Sequence, residues 1–233
     1  METPPDNPHA PGPEDAVPPS LRFPVRIKEL SRRDRRRLLR HFLELGQDDR
    51  LLRFGSMLSD DAVTRYVQGL DFSRDKVFGV HDPAFRLVGV GHLAFAPRDA
   101  VPSLAGVAGK ERVAEFGVSV SARARGHGVG SKLFQRAAIH CRNADVDTLY
   151  MQCLASNRTM MHIARKAGME IHREYGEADA YLTLPPADPA SMLREAMQEQ
   201  IAVFDYTFKA NLRAAGKWLA SLAGRHRKGK GKD

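Results

Sequence analysis

Cysteine is scarce in this 233-residue chain, which has only Cys141 and Cys153. There is no Cys-x-x-Cys, and no two histidines stand at zinc-site spacing, so neither a disulfide framework nor a metal site is read. Both thiols are expected to be reduced groups in or near the core. No uninterrupted apolar run approaches membrane-spanning length. The first twenty residues, METPPDNPHAPGPEDAVPPS, lack the basic start and apolar stretch of a signal peptide. A soluble, cytoplasmic protein is the expectation. The same twenty residues hold seven of the fourteen prolines and almost no large apolar side chains. They cannot bury enough surface to offset the entropy of ordering, so disorder is expected there.

What is present is an ordinary globular composition, 42% apolar, with a formal net charge of +8. Such a charge suits anionic partners in general and selects none. Two basic runs, RRDRRR at 32–37 and RHRKGKGKD at the end, carry much of the excess and read as solvated faces or tails. VRIKEL (25–30) reads as a first strand. Ser31 and Asp34 then form a capping box ahead of a helix running to about residue 45. A second helix has Ser59 or Asp60 as its N-cap. KVFGV (76–80), FRLVGVGHLAF (85–95) and RVAEFGVSV (112–120) read as strands. In the last of these, Ala114, Phe116, Val118 and Val120 share one face, and Glu115, Gly117 and Ser119 the other. A helix follows to Cys141, then a strand at 148–155, a short helix at 156–168 ended by Gly168, and strands at 169–175 and 180–184. The order predicts an α/β protein with a mixed central sheet of about six to seven strands and helices on both faces.

The stretch RGHGVGS (125–131) stands between a strand and a helix. As a dinucleotide fingerprint it lacks the third glycine, where Ser131 stands, and Asp145 and Asp147 precede the next strand instead of ending it. As a phosphate loop of the Gly-Lys-Ser/Thr type it fails outright. A plain structural turn would need only one or two glycines. The remaining reading is a diphosphate cradle: orphan N–H groups of a first helical turn, a favourable helix dipole, and no Cβ atoms to hold the ligand away. Arg125 can add a charge-assisted contact or pair within the protein.

Arg125-x-x-Gly128-x-Gly130, after a strand and opening an amphipathic helix, resembles the acetyl-CoA-binding motif of the GCN5-related N-acetyltransferases, the GNAT family. Asn157 after the next strand, and KAGM (166–169) with Met169 in place of the usual aromatic, extend the likeness over roughly residues 24–185. The resemblance implies the acyl-CoA N-acyltransferase fold, with a V-shaped opening between strands 112–120 and 148–155. It implies acetyl-CoA as co-substrate, with pantetheine along the strand segment Val118, Ser119 and Val120 through the backbone of Val118 and Val120. The diphosphate would lie on Arg125, Gly126, His127, Gly128, Val129, Gly130 and Ser131, and Asn157 would touch the pantetheine arm.

An amine nucleophile must be neutral, and Glu115, the one acidic residue inside the central strand, is the candidate base. The sequence AEFGVSV resembles the subgroup that acetylates protein lysines, where a glutamate at this place is the base. The thiolate's usual proton donor in the family, a tyrosine seven residues after the asparagine, is replaced by Ala164, which leaves Tyr150, Tyr175, Tyr181 or water as donor, or a thiolate that departs unprotonated. His127 and His162 read as exposed helix residues.

After Pro185 and Pro186, the residues Leu193, Met197, Ile201, Phe204, Phe208, Leu212, Ala215, Leu219 and Leu222 step by threes and fours. They predict a long amphipathic helix over 187–223, ahead of a basic disordered tail at 224–233. Its apolar face would pack on the domain at 21–186, on a second copy, or on a partner. Two functions are therefore expected. One is acetyl transfer to a primary amine, either a protein lysine or a small molecule. The alternative is a non-catalytic acyl-CoA-binding module whose helix and tail hold a protein, nucleic acid or membrane partner. The tail has no interleaved aromatics, which disfavours nucleic acid.

Overall fold

Strand signals in the sequence translate into a single sheet because β-branched and aromatic residues alternate or run continuously where two layers of helix must be covered. The computed structural model describes residues 24–95 and 112–200. The Pro-rich start, the stripe from Ile201 onward and the basic tail lie outside them. The strands are β1 (Ile27–Leu30), β2 (Lys76–His81), β3 (Leu87–Phe95), β4 (Val113–Val120), β5 (Thr148–Leu154), β6 (Glu170–Glu174) and β7 (Glu177–Thr183). They lie in the order β1-β2-β3-β4-β5-β7-β6. Among these pairs only β4 and β5 run parallel.

Helices cover both faces, as expected. On one side α4 (Val129–Asn143) and α5 (Arg158–Lys166) bury Leu133, Phe134, Cys141 and Ile163 against Phe78, Phe116 and Leu149. On the other, α1 (Arg35–Leu43) and α3 (Asp60–Gly69) bury Leu38, Phe42, Val63 and Val67 against Val77, Leu87 and Val90. The Ser31–Asp34 box is present, with the Asp34 carboxylate accepting from the Ser31 backbone N–H at 3.1 Å. Ser59 caps α3 by accepting from Ala62 N at 3.3 Å. One helix was not foreseen. Residues Gln47–Phe54 form α2, opened after Gly46 and closed by Gly55 at φ +71. β7 also starts three residues earlier than the sequence suggested, at Glu177.

The described start of the C-terminal helix bears on one of the three placements expected for its stripe, packing on the domain. This part, α6 (residues 189–200), docks by its polar face and not by the apolar stripe. Glu195 receives hydrogen bonds from Arg136 Nη1 and His140 Nδ1, each at 2.6 Å, and Glu199 receives one from Arg136 Nη2 at 3.1 Å. Ser191 is buried against Asn143. Leu193 and Met197, the first members of the stripe, are 62% and 56% exposed. The physical reason lies in α4: Arg136 is buried among apolar neighbours, and its guanidinium demands anions. Two glutamates one turn apart meet that demand, and Leu193 and Met197 face outward. Burial alone would raise the Glu195 carboxyl, but bonds from His140, Asn143 and Arg136 hold it down at about 2.

His41 fastens α1 to the sheet. Its ring is buried, with Nδ1–H donating to Leu87 O at 3.1 Å and Nε2 accepting from Ser119 Oγ at 2.8 Å. Burial pushes its pKa down to about 4, against a small opposing effect of the Leu87 carbonyl. The group is neutral in both states above pH 6.5; between 6.5 and 4 the unfolded chain binds a proton that the folded one refuses. Folding stability should therefore fall by about 3 kcal/mol over that window. Denaturant unfolding at pH 7, 5.5 and 4.5 checks this, and His41→Gln should flatten the slope.

Candidate active site

β4 and β5 share only three paired positions, ending at Glu115 opposite Tyr150. Beyond them the strands part. Neither can close the gap, because β3 holds β4 through Val120 on one side and β7 holds β5 through Leu154 on the other. Ser121 N–H donates to Val88 O of β3 at 2.9 Å. Strand alternation then turns the backbone groups of Gly117 and Ser119 toward β3, and those of Val118 and Val120 toward the opening. The Ser119 side chain is committed elsewhere, to His41.

The glycine loop lies at the head of this opening. Gly126 and Gly128 adopt φ +77 and +71, values an L side chain occupies only with strain. A Cβ at either would meet nothing within 4 Å, so the space they leave is open to a ligand. Gly128 is the N-cap of α4 and no side chain caps the helix. The amides of Val129, Gly130 and Ser131 therefore lack intrahelical partners. A diphosphate fits there. Gly130 has a second task, since a Cβ would stand 3.2 Å from Ile163 of α5. Arg125 pairs with Asp49 of α2 at 2.5 Å and donates from Nε to Val120 O at 3.2 Å. His127 is half-buried in the loop ahead of α4, not exposed on the helix as expected. His162 is exposed on α5.

Below the loop a cavity of about 360 Å³ lies between the C-terminal end of α2 and the parted strands, lined by Arg53, Glu115, Gly117, Gln152, Cys153 and Glu177 among others. Glu115 is exposed and, among the described residues, forms no ion pair. Asn157 is buried; its Oδ1 accepts from Met160 N at 3.1 Å to cap α5, and its Nδ2 donates to Leu52 O at 3.4 Å. Ala164, where a tyrosine was missed, is buried in the core. Of the tyrosines considered instead, Tyr175 is exposed at the turn between β6 and β7. Tyr150 donates to Asp179 at 2.7 Å. Burial, the Asp179 bond and nearby negative charge push its phenol far above the usual range.

Sequence reading missed the residues that roof the cavity. Arg53 lies over Gly117 so closely that a Cβ there would be 2.6 Å from the guanidinium carbon. It donates to Tyr66 Oη at 2.9 Å and stacks on the rings of Phe54 and Tyr66 at 4.9 and 5.7 Å. Tyr66 in turn donates to His92 Nδ1 at 3.0 Å, and His92 Nε2–H to Asp75 at 3.2 Å. Burial would raise the Asp75 carboxyl, yet bonds from His92 and Arg74 hold it at about 2. The acidic first turn of α2 (Asp48, Asp49), Arg53 in its last turn and Gly55 after it were the available signals for this helix.

Comparison with known proteins agrees with this geometry. Residues 70–169 match the Acetyltransferase (GNAT) family. No curated protein matches the chain. Among solved structures, the GNAT domain of S. lividans PAT is similar at 20% identity and TM-score 0.56, covering 69% of this chain and 90% of that one. An N-acetyltransferase from Staphylococcus aureus Mu50 is similar at 16% identity and TM-score 0.52, over 70% and 100%. yncA from Salmonella typhimurium, solved with its cofactor acetyl-CoA, is similar at 12% identity and TM-score 0.51, over 71% and 97%. At these identities the likeness is one of fold.

Two glycine substitutions separate strain from binding. Gly128→Ala and Gly176→Ala each force alanine into a positive φ, +71 and +88, and should each cost about 1–2 kcal/mol of stability. Calorimetry with CoA should show affinity falling at least about tenfold for Gly128→Ala, a loss of 1.4 kcal/mol or more, and unchanged for Gly176→Ala.

Proposed function

From the premise that this chain carries an N-acetyltransferase domain of the GNAT family, whose co-substrate is acetyl-CoA, we propose that it acetylates a primary amine with Glu115 as general base. One observation carries the reading: an exposed, unpaired carboxylate stands at the last paired position before β4 and β5 part, facing the cavity below the glycine loop. When bound, acetyl-CoA supplies an activated acetyl thioester. The amides of Gly126, His127, Gly128, Val129, Gly130 and Ser131 would hold its diphosphate, with Arg125 able to exchange Asp49 for a phosphate. Val118 and Val120 would bond the pantetheine arm as a neighbouring strand would, with Ser119 keeping β4 seated on α1 through His41. Asn157 would orient that arm from the mouth of α5.

An alkylamine of pKa about 10.4 is protonated at pH 7, and removing that proton costs roughly 4.6 kcal/mol. Glu115 would take it as the nitrogen attacks the carbonyl carbon and the C–S bond breaks. A backbone N–H of Val118, turned to the unpaired side, would stabilise the charge that builds on the carbonyl oxygen. No protein acid is assigned to the sulfur. The Tyr150 hydroxyl already donates to Asp179, and a thiolate of conjugate pKa about 8.5 is a tolerable leaving group that water can protonate.

Glu115→Gln should lower kcat/KM at pH 7 by about 10²–10⁴-fold with acetyl-CoA affinity unchanged. The deficit should shrink as pH approaches the amine's own pKa. CoA release assayed against pH measures both, and equal rates for variant and wild type would remove Glu115 from the mechanism.

A further inference from the structure

The acceptor end of the cavity carries a guanidinium with no anion. Among the half-buried and buried arginines of the described residues, Arg50 and Arg136 are paired with carboxylates. Arg50 donates to the carbonyls of Leu43, Leu45 and Leu58 and pairs with Asp60, and Arg136 pairs with Glu195 and Glu199. Arg53 differs from both. Its one hydrogen bond among the described residues goes to the neutral Tyr66 hydroxyl, and its Nε is buried with no partner. A desolvated cation held this way is costly unless something negative joins it. We propose that Arg53 binds the carboxylate of the acceptor, so that the substrate is a small zwitterionic amine of the amino-acid type; this rests on the acetyl-transfer reading above.

The spacing fits one compact molecule. Arg53 covers Gly117, and Glu115 lies two residues away on the same face of β4, about 7 Å along the strand. An α-amino acid places its ammonium beside Glu115 and its carboxylate beside the Arg53 guanidinium, each at hydrogen-bond distance, with the side chain free to extend into the cavity. Glu177, held by Gln152 at 3.1 Å, keeps the far wall negative and so favours the carboxylate lying at the Arg53 end. A protein lysine brings its amine on a long apolar stem with no anion beside it, and leaves Arg53 unpaired.

Tyr66, His92 and Asp75 are positioning residues in this scheme. The Tyr66 oxygen accepts from Arg53 and its proton goes to His92 Nδ1. His92 therefore keeps its proton on Nε2, where Asp75 accepts it. The chain fixes the fork of the guanidinium over Gly117, where its planar geometry can grip a carboxylate through two N–H groups.

The test compares free α-amino acids with their carboxamides, which keep the amine and lose the anion. The carboxamide amine is the easier to deprotonate, so a preference for the acid cannot come from basicity. With wild type, at least one amino acid should exceed its amide at least about tenfold in kcat/KM. Arg53→Gln should bring that ratio within about threefold while leaving acetyl-CoA affinity unchanged, and Tyr66→Phe, which keeps the charge but loosens its hold, should give an intermediate ratio. Acid and amide used equally by wild type, or a ratio that survives Arg53→Gln, would overturn the proposal while acetyl transfer stands. If no amine in the panel releases CoA, calorimetry of the same amino acids on the CoA-saturated protein decides. Uptake abolished by Arg53→Gln keeps the carboxylate site and rejects the transfer reading, and no uptake rejects the site.

Discussion

The separation of β4 from β5 after Glu115 is the constraint on which the rest depends. Parallel neighbours in a sheet ordinarily satisfy each other's backbone groups along their whole length. Here the pairing stops after three positions, and both strands are held apart by full-length antiparallel partners, β3 and β7. The edge left on β4 carries N–H and C=O groups with no neighbouring strand, of which the Val120 carbonyl accepts from Arg125. Backbone groups in such a place need a partner, and a ligand with amide groups of its own supplies one without disturbing the sheet.

Two helices are aimed at that gap for different reasons. α4 brings its uncapped N-terminus because Gly126 and Gly128, after a short turn at Ala122–Ala124 that follows β4, carry the chain through positive φ, so the positive end of the helix faces the head of the opening. α2 brings a side chain instead. Gly55 stops it at Phe54, and the aromatic cluster of Phe42, Phe54 and Tyr66 fixes its last turn over β4. Arg125, bonded to Val120 and paired with Asp49, links the two. The head of the opening and the cavity under α2 are thus tied by a single side chain that belongs to the glycine loop and reaches the other helix.

The sheet was legible because its signal is local. KVFGV, LVGVGHLAF and VAEFGVSV announce strands through composition, and the glycine loop announces its turn through residues that tolerate positive φ. Glu115 could be read for the same reason, as an acid on the small-residue face of a strand. Arg53, Tyr66, His92 and Asp75 could not. They come from four separate segments, and what joins them is register: His92 stands opposite Gly117 only because β3 and β4 pair as they do. The apolar stripe after Pro186 was legible in a more limited way. Its periodicity is real, but the described turns dock through Ser191, Glu195 and Glu199, since a buried arginine on α4 outweighs a few exposed aliphatic contacts. Hydrophobic period finds a helix and does not by itself say which face is covered.

Several of the described arginines, whose number invites a reading in terms of nucleic acid or membrane, serve the framework. Arg35 from the basic run closes the end of α3, donating to Gln68 O at 2.5 Å and Leu70 O at 2.7 Å, and Arg37 pairs with Asp34. That run was expected to be a solvated face and is partly a helix cap. Arg142 holds Pro186 O and Asp188, and Arg50 and Arg136 bind their own partners inside the fold. Cations placed this way satisfy carbonyls and carboxylates that folding would otherwise strand, so their number says little about ligands. The informative arginine is Arg53, which lines the cavity and has no carboxylate among its partners in the described residues. Arg53 is held by aromatic faces and a phenol, over a glycine, two residues along the strand from a free carboxylate. The charge that bears on chemistry in this protein is therefore a matter of which partner is missing, not of how many cations the chain carries.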